Sequence, residues 1–119
     1  MKKAGRVLVL DDDNTTREAM SEWLDNAGYA CTAAASFDEA SALLRSGQVD
    51  LLITDIRLGD HNGIHLVYRH AGEILAIVIT GFDDPALAAE ARALGAIYLV
   101  KPVDLKTLLA HVRTLLGRP

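Results

Sequence analysis

Cysteine is nearly missing from this chain of 119 residues, which has one, Cys31, beside three prolines and an aromatic content of only 5%. A lone cysteine closes no internal disulfide, which excludes the stapled scaffolds of small secreted domains. Cys31 lies in a short apolar stretch, where a buried structural thiol is the expected reading. Long hydrophobic runs are missing too. After the basic start Met1-Lys2-Lys3, the apolar stretch reaches only from Val7 to Leu10 before three aspartates, too short for a signal peptide or a membrane span. Nor does one sign of charge prevail. The 12 Lys and Arg residues stand against 16 Asp and Glu, a net charge of -4, which leaves no electrostatic footprint for nucleic acid or an anionic membrane. These absences point to a soluble, unprocessed, cytoplasmic protein. The length suits one domain over residues 1–119, since domains cluster near about 100–150 residues.

What is present is a repeated pattern. Apolar runs at Val7 to Leu10, Leu51 to Thr54, Leu75 to Ile79 and Ile97 to Val100 are bounded by turn residues and separated by stretches of helical period. Their apolarity is continuous and not alternating, which predicts strands buried on both faces of a parallel sheet under helices. A weaker strand at Tyr29 to Ala33 makes five. Helices are expected around Met20, Trp23, Leu24 and Ala27 with Gly28 as stop. A second follows the Ser36/Glu39 capping box and ends at Gly47, and a third, short one runs from Gly63 to His70. Asp84-Pro85 opens a fourth that ends at Gly95, and Asp104 caps a fifth carrying the stripe Leu105, Leu108, Leu109, Val112, Leu115 and Leu116. Trp23 and that stripe are read as core. The chain is a doubly wound α/β unit, (βα)₅.

In such a fold, right-handed crossovers bring the carboxyl ends of all strands to one edge, where ligands bind. The residues there are Asp11, Asp12 and Asp13 after the first strand, Asp55 ending the third, Thr80 and Gly81 the fourth, and Lys101-Pro102 the fifth. Unpaired charges are costly at the rim of an apolar sheet, so such a cluster asks for a functional cause. No glycine-rich turn follows the first strand, so a bare phosphate would be repelled there. A cation would be attracted. Three carboxylates and one ammonium leave an excess of two negative charges, which one divalent ion neutralises, and oxygen-only ligation suits Mg²⁺ or Mn²⁺. Beside such an ion a carboxylate can act as nucleophile toward phosphorus, with a lysine and a hydroxyl meeting the charge on the oxygens.

Val7-Leu-Val-Leu-Asp-Asp12, Leu51-Leu-Ile-Thr-Asp55, Ile79-Thr80-Gly81 and Tyr98-Leu-Val-Lys101-Pro102 together resemble the receiver domain of bacterial two-component response regulators, over essentially the whole chain. The resemblance implies a flavodoxin-like three-layer sandwich with strand order 2-1-3-4-5. It implies Asp55 as phosphoacceptor, assisted by Lys101 and Thr80, and Mg²⁺ held by Asp11, Asp12, Asp55 and the backbone carbonyl of Arg57. It implies Thr80 and Tyr98 as switch residues, a cis Lys101-Pro102 bond, and a histidine kinase or histidine phosphotransfer protein as donor. Output would pass through the surface of the fourth helix, fifth strand and fifth helix to an effector domain or partner, with homodimer formation on phosphorylation. Such a chain is a signalling switch and not a turnover enzyme. One departure is Leu58-Gly59-Asp60-His61-Asn62-Gly63, where Gly59 replaces a proline usual in the family and is expected to loosen the loop.

Several residues have plainer readings. Asp13 is more simply a helix cap than a ligand. His61 and His65 have the spacing of a zinc pair, but Gly63 interrupts the helix between them, and with His70 they are read as solvated. Arg57, two residues after Asp55, overhangs the pocket mouth in this reading; if its guanidinium reaches an acyl phosphate, it slows hydrolysis. Two other functions compete: a small Mg²⁺-dependent phosphatase with an aspartyl nucleophile, and an unphosphorylated receiver-like interaction module. The Met1 start suggests a true N-terminus, while a complete regulator and an excised domain both remain open.

Overall fold

The computed structural model describes residues 5–118. Five parallel strands, β1 (Arg6–Leu10), β2 (Ala30–Ala34), β3 (Leu51–Asp55), β6 (Leu75–Thr80) and β7 (Ile97–Val100), form one sheet in the order β2-β1-β3-β6-β7. Counting these five alone, the order is the expected 2-1-3-4-5. The two remaining strands, β4 (Arg57–Leu58) and β5 (His61–Asn62), make a small antiparallel ribbon beside the third main strand.

Each strand of the middle of the sheet is buried on both sides because alternate residues enter different cores. Val7 and Val9 of β1, Leu51 and Ile53 of β3, and Ile77 and Ile79 of β6 pack with Met20, Leu24, Leu108 and Val112. These come from helices α1 (Asn14–Asn26) and α5 (Leu105–Leu116). Leu8, Leu10, Leu52, Ala76 and Val78 face the other way, onto Phe37, Leu44, Leu66, Val67 and Ala91 of α2 (Phe37–Arg45), α3 (Ile64–Arg69) and α4 (Pro85–Ala93). The result is three layers.

The expected caps form. Ser36 Oγ accepts the Glu39 N–H at 3.2 Å, and Asp84 Oδ1 accepts the Ala86 N–H at 2.9 Å just before Pro85. Asp104 does the same for Lys106 at 3.1 Å. Gly28, Gly47 and Gly95, the three expected stops, all take positive φ, where a side chain would be strained. The third helix has six residues, as short as its sequence suggested. Among the described residues, no helix is long and apolar enough to cross a membrane.

Three expectations are corrected. Trp23 is 37% exposed and not core, because the buried face of α1 is carried by Met20 and Leu24. Cys31 is half-buried, since β2 is an edge strand with only β1 beside it. The segment around Gly59 is an organised ribbon in place of a slack loop. Gly59 takes φ 61°, which proline's ring forbids, and the His61 ring stacks on Phe37 with centroids 4.4 Å apart.

Candidate functional site

β1 and β3 are neighbours, so their C-terminal ends deliver Asp11 and Asp55 side by side, and Asp12 follows in the β1–α1 turn. One carboxylate oxygen from each of Asp11, Asp12 and Asp55 lies within 4.8 Å of the others, the one such group of potential metal ligands among the described residues. Asp11 is 1% and Asp55 9% exposed, while Asp12 stands open to solvent. Lys101 reaches across from the end of β7, its Nζ 2.8 Å from Asp55 Oδ2 and 3.5 Å from Asp11 Oδ2. The Lys101-Pro102 bond is cis, as the resemblance implied.

The local fold prepares each group. Asp13 caps α1 through Thr16, confirming the plainer reading, and its own N–H donates to Asp11 Oδ1 at 2.9 Å. Arg17 Nη1 donates to the Asp11 carbonyl at 2.9 Å, a contact that sequence spacing does not suggest. The Arg57 N–H donates to Asp55 Oδ1 at 3.3 Å. Gly63 matters through what it lacks. A Cβ there would sit 2.2 Å from the Asp55 carbonyl oxygen and 2.5 Å from Thr54 Oγ1, so only glycine lets α3 start against the acceptor strand.

Charge is unevenly compensated. Burial, more than any other influence, raises the Asp11 pKa, and nearby Asp55 adds to this, while the Asp13 N–H and the Lys101 ammonium oppose it. For Lys101, burial is the largest single influence and lowers the pKa, but Asp55 and Asp11 together outweigh it and leave the pKa raised. The Asp11 direction thus reflects burial first, and the Lys101 direction its two carboxylate neighbours. All the donors are oxygens, three carboxylates converge, and one is open to water, a set that fits a hard divalent ion and not zinc. The histidines do not gather: His61 stacks on Phe37 and His65 is exposed on α3, while His70, expected to be solvated, is instead buried, with Nδ1 3.0 Å from Glu73 Oε2.

Thr80 arrives at the same edge, 2% exposed, and its hydroxyl is engaged by the backbone of its own turn. It donates to the Phe82 carbonyl at 3.1 Å and accepts the Phe82 N–H at 3.1 Å. Tyr98 is half-buried; its hydroxyl accepts the Asp84 N–H at 3.0 Å and lies 3.3 Å from the same Phe82 carbonyl. Phe82 was not singled out in the sequence, since a phenylalanine in a turn carries no chemistry of its own. The Arg57 guanidinium packs over its ring at 5.1 Å. The phosphatase alternative would place its nucleophile at Asp11, after the first strand, whereas the shorter Lys101 contact is made by Asp55.

The model of the response regulator receiver domain matches residues 7–113. The transcriptional regulatory protein FixJ of Azorhizobium caulinodans is 37% identical over 119 residues, covering 94% of this chain and 55% of its own length. The chain thus spans about half of that relative. The chemotaxis protein CheY4 of Vibrio cholerae superposes with a TM-score of 0.83 at 29% identity, over 94% of this chain and 98% of that one. A Burkholderia pseudomallei response regulator, solved with a phosphorylated aspartic acid and a calcium ion, superposes with a TM-score of 0.81 at 29% identity, over 89% and 65%. Fold, strand-end chemistry and sequence thus agree along nearly the whole chain, which belongs to the response regulator receiver domain family of two-component signalling.

Proposed function

We propose that residues 1–119 form a single receiver that accepts a phosphoryl group on Asp55 in a Mg²⁺-dependent reaction, Mn²⁺ serving as substitute, and changes conformation in response. The observation that carries this is the Asp55 carboxylate, nine-tenths buried, with Lys101 Nζ at 2.8 Å and two further carboxylates in reach of a shared ion. Asp11, Asp12, Asp55 and the carbonyl of Arg57 would hold that ion, which when bound neutralises charge on the phosphoryl oxygens.

In this reading an Asp55 oxygen attacks the phosphorus of a phosphohistidine on a histidine kinase or histidine phosphotransfer protein. The phosphorus–nitrogen bond breaks, its electron pair stays on the imidazole, and that nitrogen takes a proton from solvent. The product is an aspartyl phosphate. Lys101, already on Asp55, pairs with one phosphoryl oxygen. Thr80 must exchange its two bonds to Phe82 for a bond to another, and the Phe82 carbonyl it releases is the one Tyr98 also touches. That shared carbonyl supports Tyr98 as the second switch residue, with output through α4, β7 and α5 to an effector or a second copy. The family consists of signalling switches, and turnover of phosphate esters is not part of this reading.

The test is incubation with Mg²⁺ and acetyl phosphate, followed by intact mass. The unmodified chain should gain one acid-stable, base-labile phosphoryl group, and Asp55→Ala none. A labelled Asp55→Ala protein, or a Tyr98 resonance that beryllofluoride leaves unmoved, rejects the proposal.

A further inference from the structure

We propose that His61 is a positioning residue for the metal site: stacked on Phe37, it clamps the β4–β5 ribbon so that the Arg57 carbonyl keeps one position. This rests on that carbonyl as a ligand of the ion.

Arg57 opens the ribbon, where it pairs with Asn62, and His61 pairs with Leu58. Each strand has two residues, too few for pairing alone to hold them, since even a full isolated hairpin is marginally stable in water. Leu58, 5% exposed, anchors the outgoing strand in the core. The returning strand has His61, which is open to solvent yet lies flat on Phe37, with centroids 4.4 Å and ring planes 13° apart. Phe37 is a fixed platform. It is the first residue of α2 and is buried, and the Arg69 guanidinium of α3 meets its ring at 5.7 Å. A cavity of about 240 Å³ has Asp12 in its wall together with Phe37, Leu58, Gly59 and His61. The stack therefore borders the carboxylate of the metal group that is open to water.

Gly59 explains why a clamp is needed. At φ 61° it makes the turn between the two strands, a conformation closed to proline, and glycine gains more freedom than any other residue when a turn opens. The stack supplies from α2 the stiffness that the turn lacks. An ion that needs the Arg57 carbonyl binds only chains in which the ribbon is closed, so its apparent dissociation constant rises as that fraction falls. Lys101 reaches Asp55 from the end of β7, outside the ribbon, and its contact does not depend on the stack.

Mg²⁺ binding to the full chain is measured by titration calorimetry, and hydrogen exchange of the amides from Arg57 to Gly63 is followed in the metal-free protein. His61→Ala should bind Mg²⁺ about fivefold more weakly, the factor that one aromatic pair amounts to, and its ribbon amides should exchange faster by a like factor. Its urea midpoint should not move, because His61 lies outside the core. His61→Phe, which keeps a flat ring on Phe37, should restore both readings, and His61→Leu should restore neither. Phe37→Leu should weaken Mg²⁺ binding to the same degree as His61→Ala, and the double variant no further. At saturating Mg²⁺, phosphoryl uptake from acetyl phosphate by His61→Ala should equal that of the unmodified chain. Unchanged ribbon exchange in His61→Ala, or a His61→Phe protein as weak in Mg²⁺ binding as His61→Ala, overturns the proposal. Faster exchange with unchanged Mg²⁺ affinity overturns instead the Arg57 carbonyl as ligand, and an unmodified chain that binds no Mg²⁺ overturns the metal site itself.

Discussion

The two ends of the sheet treat charge in opposite ways. At the N-terminal end, Arg6 and Asp50 meet as a fork on a carboxylate, with Nε 3.1 Å from Oδ2 and Nη2 3.0 Å from Oδ1, and the Arg6 N–H adds a third bond at 2.9 Å. Both side chains remain in contact with water, and each is satisfied by the other. At the C-terminal end, Asp11 and Asp55 are buried with Asp12 beside them, and Lys101 is the ammonium that answers them. One rim closes a loop with ordinary electrostatics. The other keeps carboxylates in excess, a cost to stability that an added cation would offset.

The largest expected effect comes from cancelling that excess. Asp11→Asn keeps the oxygen that accepts from Asp13 and discards the charge. Affinity for Mg²⁺, read by titration calorimetry, should fall at least about tenfold. The metal-free protein should become more stable, on the order of 4 °C in thermal midpoint, as about 1 kcal/mol gives in a domain of this size. The sign follows from the raised pKa of Asp11. A carboxyl whose folded pKa lies above its unfolded value opposes folding at neutral pH, and the chain regains that stability as pH falls through the raised value. The unmodified protein should in turn gain about 2.7 kcal/mol when Mg²⁺ reaches a hundred times its dissociation constant. A destabilised Asp11→Asn protein would break the contrast between the two rims.

Next in size is Gly63→Ala, which forces a methyl group against the Asp55 carbonyl and should cost about 1–3 kcal/mol in denaturant unfolding. Removing the Thr54 hydroxyl as well should recover little, because the nearer clash is with backbone. Full recovery in the double variant would place the conflict at Thr54 instead.

Smallest is Asp50→Asn at the opposite rim. The Arg6 side chain, through its hydrogen bond first, holds the Asp50 pKa below the ordinary carboxylate value. The stability it contributes is present above the unfolded pKa near about 3.9 and is lost as pH falls through the lower folded value. Since both partners are solvated, the loss at neutral pH should be as small as screened surface pairs give. Mg²⁺ affinity should not change. A change there would mean that the two rims are coupled, which their separation at opposite ends of the strands does not predict.

Much of the site was legible in sequence because strand ends in a parallel sheet converge whatever the details of packing. Asp11, Asp12, Asp55 and Lys101 fall together for that reason. Thr80 was placed at the right edge, but the direction of its hydroxyl was not, because a threonine beside a turn can bond its own backbone two residues on. Trp23 sits one residue before the buried Leu24, and helical period alone did not decide which of the two faces the sheet.

The sequence by itself determined the alternation of elements, their caps and the gathering of acids at one edge. These depend on local hydrogen bonding, hydrophobic period and strand direction, all of which are written in neighbouring residues. Only the tertiary structure decided that Gly63 must be bare beside Asp55, that His61 stacks on Phe37, and that Arg57 rests on Phe82. Those contacts join segments distant along the chain, and whether they form depends on the register and crossover geometry that bring the segments together.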